Sequence, residues 1–335
     1  MTVTISRPSL RLTLLTALIW ALLISAATAQ QPGVPLPSGS EINDQKHGSV
    51  LIFSYFTSSA SSPGSANTRF SLTNTNPAET AFVHLFFVDG STGSVMNFYA
   101  CLSAGQTFYF LATDIDPGVT GYLLAVATDQ TGCPVGFNYL TGQAAVKTAS
   151  GHRGSFNAEA VAALFTGRLP TWTTGAPTAA LTFDGNVYNR LPRALSLDTI
   201  RSPGNNNRTL LILTRIGGNL SSGSVPAIGA VSGQLYDTSG SGHDFSFTHN
   251  RLQLAGELTD AFPVVTPALS AVIPAGSTGW MTLSADADAG LLGLMINLNQ
   301  NAAASASAFN GGHTLHKLTL SASGSVTIPV TSPGC

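Results

Sequence analysis

The stretch between Phe82 and Leu140 restricts the fold most strongly, because short apolar runs alternate there with clusters of Asp, Gly, Ser, Thr and Pro. Such alternation is typical of antiparallel strands that are joined by tight turns. Apolar residues at helical spacing are scarce in the rest of the chain. The sequence therefore predicts an all-β protein of antiparallel β-sandwich type.

The N-terminus has the three parts of a secretory signal peptide. Arg7 and Arg11 provide the positive region, Leu12–Ala27 is apolar, and Ala27-Thr28-Ala29 is a small-residue cleavage site. We expect cleavage after Ala29, export to the extracellular space or cell surface, and no transmembrane segment in the mature chain.

The charge content is low, with 14 Lys and Arg, 16 Asp and Glu, and 9% charged residues in 335. A chain of this composition offers no basic face for nucleic acid. The 34 glycines and the many Ser, Thr and Asn residues are instead typical of extracellular β proteins, whose surfaces are hydrated by hydroxyl and amide groups.

Paired sequence matches in the two halves predict an internal duplication. Leu72-Thr73 and Leu213-Thr214 match, as do the turns after Val88 and Tyr236, and Gly121–Leu124 matches Gly293–Ile296 at an offset of 172. Two unrelated sandwiches with similar turns remain the alternative. The predicted layout is a signal peptide (1–29), a flexible Pro/Gly/Ser-rich leader (30–46), a first β-sandwich (47–165), a Pro-rich junction with a hairpin at Asp184-Gly185 (166–207) and a second β-sandwich (208–335).

Three segments also carry a family resemblance: Phe82–Gly90 (FVHLFFVDG), Cys133–Leu140 (CPVGFNYL) and Asn310–Leu320 (NGGHTLHKLTL). They resemble segments in a group of uncharacterised secreted bacterial proteins with duplicated β-sandwich domains. The resemblance covers most of the mature chain, and it implies secretion and the domain layout only.

The chain has three cysteines. In an exported protein, Cys101 and Cys133 are expected to form a disulfide, because both lie beside turns in the first predicted domain. Cys335 is then left over, and it is either free or linked to another chain.

Two loops share the pattern D-x-D-x-G. Asp114 and Asp116 lie in the first loop, and Asp286 and Asp288 lie in the second loop at an offset of 172. Carboxylates two residues apart on a turning backbone are able to converge on one cation, which predicts weak calcium sites. The alternative is a pair of ordinary Asp/Gly turns that need no metal.

Motifs of catalytic chemistry are missing from the sequence: there is no G-x-S-x-G elbow, no H-E-x-x-H helix and no P-loop. His84 lies inside an apolar run and is interpreted as a hydrogen-bonded core residue. His313 and His316 are three apart in a predicted strand, so they are expected to face opposite sides of a sheet.

The sequence thus favours an exported non-catalytic protein of structural, adhesive or matrix type that needs no cofactor. A carbohydrate-binding module is the alternative, and a secreted hydrolase with an unrecognised carboxylate pair is the second alternative. Surface glycan binding or self-association is the expected interaction. The aromatic candidates for a sugar-stacking surface are Trp172, Trp280, Tyr99, Tyr109, Tyr139 and Tyr188.

Overall fold

Alternating apolar residues form strands throughout the computed structural model, which describes residues 34–35, 41–301 and 310–335. The predicted signal peptide lies outside the described residues. The strands up to the predicted junction are β1 (Val34–Pro35), β2 (Val50–Thr57), β3 (Asn67–Asn74), β4 (Ala81–Asp89), β5 (Val95–Leu102), β6 (Thr107–Leu111), β7 (Thr120–Thr128), β8 (Val135–Gly136), β9 (Leu140–Lys147), β10 (Arg153–Asn157) and β11 (Glu159–Val161).

The later strands continue the numbering in chain order. They are β12 (Gly167–Arg168), β13 (Thr178–Thr182), β14 (Pro192–Arg201), β15 (Asn207–Ile216), β16 (Gly218–Asn219), β17 (Gly229–Tyr236), β18 (Gly242–His249), β19 (Gln253–Glu257), β20 (Thr278–Ala285), β21 (Gly290–Asn299), β22 (Gly311–Thr314), β23 (His316–Leu320) and β24 (Ser325–Pro329). Short helical turns are α1 (Ala112–Ile115), α2 (Leu269–Val272) and a 3₁₀ turn at Pro203–Asn205.

Each half of the chain forms two packed sheets. In the first half, sheet I has the order β11-β2-β7-β4-β5 and sheet II has the order β10-β9-β3-β6. In the second half, sheet III has the order β1-β23-β14-β20-β17-β18 and sheet IV has the order β19-β15-β21-β22. The pairs within these four sheets are antiparallel, which confirms the predicted fold class.

The strand order of the two halves is the same. Taken in chain order, strands β2–β7 and β9–β11 of the first half correspond to strands β14, β15 and β17–β23 of the second half. With this correspondence, sheet I has the strand order of sheet III without β1, and sheet II has the strand order of sheet IV. Equivalent strands β2 and β14 both carry a bulge, opposite β7 and β20 respectively. At both bulges a glycine faces a carbonyl: a Cβ at Gly121 would overlap the Val88 oxygen, and a Cβ at Gly279 would crowd the Tyr236 oxygen.

This topology corrects the register of the predicted repeat. The early sequence matches are equivalent in the fold, since Leu72 and Leu213 lie in β3 and β15. The later matches at offset 172 are not equivalent, since Gly121 lies in β7 whereas Gly293 lies in β21. Different strands of a β protein have similar amino-acid compositions, so matches of a few residues do not identify equivalent strands. Duplication of the sequence itself stays a prediction.

Packing does not separate the halves into independent bodies. Residues from Pro32 to Cys335 form one unit, and the core between sheets I and II includes Leu210, Ile212 and Leu294 of the second half. The second set of strands begins at Pro192, inside the segment predicted as the junction. The predicted boundaries therefore follow the repeated strand order only approximately.

The junction and the described part of the leader are held by the fold. The turn at Asp184 forms, but β13 pairs with the late strand β24 instead of closing a hairpin. Val34 pairs with Leu320, and Ile42 is buried. In the described part of the leader, β1 is thus paired with β23 and Ile42 packs in an apolar cluster, whereas flexibility of the leader as a whole stays a prediction.

Candidate functional site

The two equivalent sheets, I and III, differ in what covers their outer faces. Strands β2 and β7 of sheet I are buried along almost their whole length, because a second apolar cluster that includes Leu181, Phe183 and Ile328 packs on the side away from sheet II. In sheet III, Leu235 and Met281 point into the core, so their neighbours Tyr236 and Trp280 point outwards. The outer face of sheet III is therefore the exposed counterpart of a buried face in the first half.

A polar row crosses this outer face from strand to strand. Ser196 of β14 is paired with Thr282 of β20, Thr282 with Gln234 of β17, and Gln234 with Asp244 of β18. The Gln234 amide donates to the Asp244 carboxylate at 2.7 Å. At the other end, Ser196 is paired with the exposed His316 of β23. The row is polar along its length: Thr282 within it is buried, whereas Asp244 and His316 are exposed.

Beside the polar row lies an aromatic pair. The rings of Trp280 and Tyr236 are stacked, with centroids 4.1 Å apart and planes 7° from parallel. The far face of the Tyr236 ring is closed by Gly242, where a Cβ would stand 3.0 Å from the ring. Trp280 is 39% exposed. Because Tyr236 covers it from the β17 side, its open face is directed toward β14 on the other side.

The residues of β14 that lie opposite Trp280 in the ladder are in the bulge. Asp198 and Thr199 lie between the ladder positions Leu197 and Ile200, opposite Trp280 on β20. Thr199 has a φ of 51°, a left-handed backbone conformation that is unusual for a β-branched residue. Bulges redirect side chains, and here the bulge presents Asp198 at the exposed surface next to two histidines.

His313 and His316 converge on Asp198. Nε2 of His313 lies 2.8 Å from Asp198 Oδ1, and Nε2 of His316 lies 3.5 Å from Asp198 Oδ2. The expectation that the two histidines face opposite sides of one sheet is therefore wrong. The chain leaves sheet IV after Thr314 and enters sheet III at His316, so the alternation of a single strand does not hold across Leu315.

The two histidines also affect the acidity of Asp198. Partial burial raises the pKa of the carboxyl group, but His313, the Thr199 hydroxyl and His316 together outweigh burial, and the pKa lies below its ordinary value. Asp198 therefore carries a negative charge in the neutral range.

The D-x-D-x-G loops are not equivalent in the fold. Asp114 and Asp116 lie at α1, between β6 and β7, whereas Asp286 and Asp288 lie between β20 and β21. The counterpart of the first loop is the connection from β19 to β20. The structural equivalence that motivated the calcium hypothesis is therefore wrong, and calcium binding itself stays a prediction.

The carboxylates of the second loop have partners within the chain. Asp286 accepts a hydrogen bond from the Ser232 hydroxyl at 3.1 Å. Asp288 accepts from the backbone N–H groups of Ala322 and Ser323, and it lies 3.9 Å from the Arg193 guanidinium. In the first loop, burial and then the charge of Asp89 raise the pKa of Asp116. These contacts are those of structural turns.

The disulfide differs from the predicted one. Cys101 is bonded to Cys335, with Cα atoms 6.3 Å apart, and Cys133 is a free buried thiol. Cys133 packs in the cluster on the outer side of sheet I. The C-terminal segment reaches Cys101 along the edge of this sheet, where the Tyr99 hydroxyl donates to the Thr331 carbonyl. Sequence spacing favoured the nearer partner, since nothing in the sequence shows where a chain end docks.

The other aromatic candidates are dispersed. Tyr188 is buried, and Tyr99 is stacked on His84. Tyr109 and Tyr139 are 65% and 43% exposed, but they lie in the first half of the chain, away from sheet III. Of the aromatic residues named from the sequence, Trp280 is the one that stacks with a partner on an open sheet face. Tyr236, its partner, was missed by sequence reasoning, although its alternation with Leu235 indicated an outward position.

A concave surface lies on sheet II, with a volume of about 580 Å³. Its lining includes Arg69, Lys147 and Arg153 but no acidic residue. Lys147 and Arg153 are directly paired across β9 and β10, and like charges in this position repel each other. We call this surface the cationic cleft.

Within residues 34–35, 41–301 and 310–335, no helix is long and apolar enough to cross a membrane.

Comparison with known proteins adds little to this geometry. No protein-family model matches the chain, and no curated protein matches it. Among solved structures, the chain is similar to "Pleurotus Ostreatus Lectin (POL), apo form" at 11% identity, over 91% of this chain and 87% of that chain, with a TM-score of 0.18. A TM-score of this size carries no argument about function.

Proposed function

We propose that the protein is an exported, non-catalytic glycan-binding protein of adhesive type, and that it binds saccharide on the outer face of sheet III. The observation that carries this proposal is the Trp280 ring. It is stacked on Tyr236 and 39% exposed, and Asp198 in the bulge of β14 lies opposite it in the ladder.

A sugar ring has an apolar face of C–H groups and an equatorial rim of hydroxyls. A site for it combines an aromatic surface with a few well-placed polar groups. Trp280 supplies the aromatic surface, and stacking on Tyr236 restricts its rotamers before the ligand arrives. Asp198 and His316 supply acceptor and donor groups at the rim. The polar row extends the same surface for further sugar units.

The non-catalytic part of the proposal rests on the acidic residues of this face other than Asp198. A glycosidase needs two carboxylates that are free to act on one bond. Asp244 accepts from Gln234, Asp286 accepts from Ser232, and Asp288 accepts from backbone N–H groups. These three carboxylates serve the strands and turns around them.

Export is supported by two features of the chain. The N-terminal sequence has the parts of a signal peptide, and the bond between Cys101 and Cys335 belongs to an oxidising compartment.

The test is a glycan array on the mature protein, followed by calorimetric titration of the best ligand. We expect Trp280→Ala to weaken binding about tenfold or more, since each tenfold loss equals about 1.4 kcal/mol and aromatic anchors commonly exceed this value. Tyr109→Ala is the matched control, because it removes the most exposed aromatic ring without touching sheet III. Thermal melting checks that both variants fold.

Two outcomes would contradict the proposal. One is equal affinity for the natural protein and the Trp280→Ala variant. The other is binding of carboxylated or sulfated glycans that is lost in Arg153→Gln but kept in Trp280→Ala, which would assign glycan recognition to the cationic cleft.

A further inference from the structure

The group formed by Asp198, His313 and His316 has the composition and geometry of a metal site. One oxygen of Asp198 and one nitrogen of each histidine all lie within 4.8 Å of one another. The site joins three elements: the bulge of β14, the end of β22 and the start of β23. Among the described residues, it is the one group of three His, Cys, Asp or Glu side chains whose ligand atoms lie close enough to hold a metal ion.

The hydrogen bonding of His313 shows which of its nitrogens is available. Nδ1 lies 2.8 Å from the Thr314 carbonyl oxygen, and a carbonyl only accepts, so Nδ1 carries a proton. In the neutral ring, Nε2 is then the nitrogen with the lone pair. A backbone carbonyl that accepts from the other ring nitrogen is the usual support of a metal-binding histidine.

Nε2 of His313 is buried and makes no hydrogen bond, although it lies 2.8 Å from Asp198 Oδ1. A lone pair that faces a carboxylate oxygen at this distance is repelled by it. A cation bound to both atoms removes the repulsion, and Nε2 of His316 lies near the second oxygen of the same carboxylate.

We propose that Asp198, His313 and His316 bind one divalent transition-metal ion of the zinc class. Two imidazole nitrogens and one carboxylate suit zinc better than calcium or magnesium, which select oxygen ligands. Three protein ligands leave a fourth tetrahedral position for water or an exogenous ligand. This position is accessible to solvent, because the side chains of Asp198 and His316 are 53% and 61% exposed. The proposal shares Asp198 and His316 with the proposed glycan face, but it is tested with zinc alone, so its failure and the failure of glycan binding are distinguishable.

Among the residues that the structure describes, the first half does not have this site. The bulge of β2 lies between Phe53 and Phe56. At the position equivalent to Asp198 it has the buried Ser54. The Ser54 carbonyl accepts hydrogen bonds from Thr214 and Gln253 of the second half. The metal ligands are thus a feature of the half whose sheet face is open.

The experiment is titration of the EDTA-treated mature protein with zinc, read by calorimetry and by thermal melting. We expect one zinc per chain and a melting temperature that rises with zinc concentration, since an ion that binds only the folded state stabilises it by mass action. His316→Gln should weaken zinc binding tenfold or more, and its exposed position should leave the metal-free melting temperature unchanged. Asp198→Asn should do the same to zinc affinity.

His243→Gln is the control, because His243 lies on β18 in the same sheet but outside the group. Substitution of zinc by cobalt provides a second readout, in which a tetrahedral site gives visible absorption that is lost in His316→Gln. The proposal is overturned if zinc does not bind, or if it binds equally to the His316→Gln and Asp198→Asn variants.

Discussion

At the residue scale, His84 is the most unusual side chain of the first half. Its ring lies between Phe86 and Tyr99, with centroids 4.0 and 4.1 Å away, and Nε2 contacts the Asn97 amide oxygen at 2.9 Å. Burial lowers the pKa of His84 to about 4, against a smaller opposite effect of the Asn97 hydrogen bond. The interpretation of His84 as a hydrogen-bonded core residue is confirmed.

This shift predicts a loss of stability in acid. Between pH 6.5 and about 4 the unfolded chain binds a proton at His84 that the folded protein does not, so the free energy of unfolding falls as the pH falls. The loss from this residue amounts to about 3 kcal/mol over the whole window. Urea unfolding at several pH values should show a flatter pH dependence for His84→Gln than for the natural protein. The exposed His47 is the control site, and a pH dependence unchanged in His84→Gln would contradict the assignment.

At the scale of elements, the equivalent strands β11 and β23 of the two halves are joined by a buried ion pair. Nζ of Lys317 on β23 lies 2.9 Å from Glu159 Oε2 on β11, and the two side chains are 15% and 3% exposed. Burial raises the pKa of Glu159, although the charge of Lys317 lowers it in part. The folded state therefore holds the Glu159 proton more tightly than the unfolded chain, and stability falls as the pH rises above about 4.5.

Removing the cation should make this dependence much steeper. We expect Lys317→Met to lower the free energy of unfolding by about 3–5 kcal/mol at pH 7, because it leaves a buried carboxylate without a partner. The deficit should shrink as the pH falls and Glu159 takes up a proton. Denaturant unfolding checks both effects, and adding Glu159→Gln should restore much of the loss. Lys147→Met, at a site without an ion pair among the described residues, is the matched control, and an equal loss in both variants would contradict a role of the pair.

At the scale of the whole molecule, the last residue is tied to the first half. The bond between Cys101 and Cys335 spans 234 residues, and closing a loop of this length restricts the unfolded chain by about 5 kcal/mol in the chain-entropy model. The C-terminal segment also closes against Gly132, where a Cβ would overlap the Thr331 carbonyl oxygen. The halves are thereby linked by a covalent bond as well as by shared cores.

Peptide mapping without reduction should recover Cys101 linked to Cys335, with Cys133 reacting with alkylating reagents only after unfolding. Cys335→Ser should lower the melting temperature clearly, because the unfolded chain regains its freedom. Cys133→Ala is the control, since it removes a thiol but no cross-link. A peptide that contains Cys101 linked to Cys133 would contradict the structure.

The all-β class and most strands follow from the sequence alone, since they depend on local alternation and turn residues. Val50–Thr57 is an apolar run and Asn67–Asn74 alternates buried and less buried residues, and Asp89 and Asp237 accept turn hydrogen bonds from the serine two residues later. The local pattern also identified His84 as a core residue, because the apolar residues on both sides of it belong to a buried strand.

Tertiary structure alone decided the pairings between distant segments. Neither the route of the chain end to Cys101 nor the crossover at Leu315 that brings His313 beside His316 has a local signal. The same holds for the choice of the open face: Tyr122 and Trp280 follow equivalent bulge glycines, yet Tyr122 is fully buried and Trp280 is exposed. That difference depends on which apolar segments pack over each sheet, and such packing is a property of the whole folded chain.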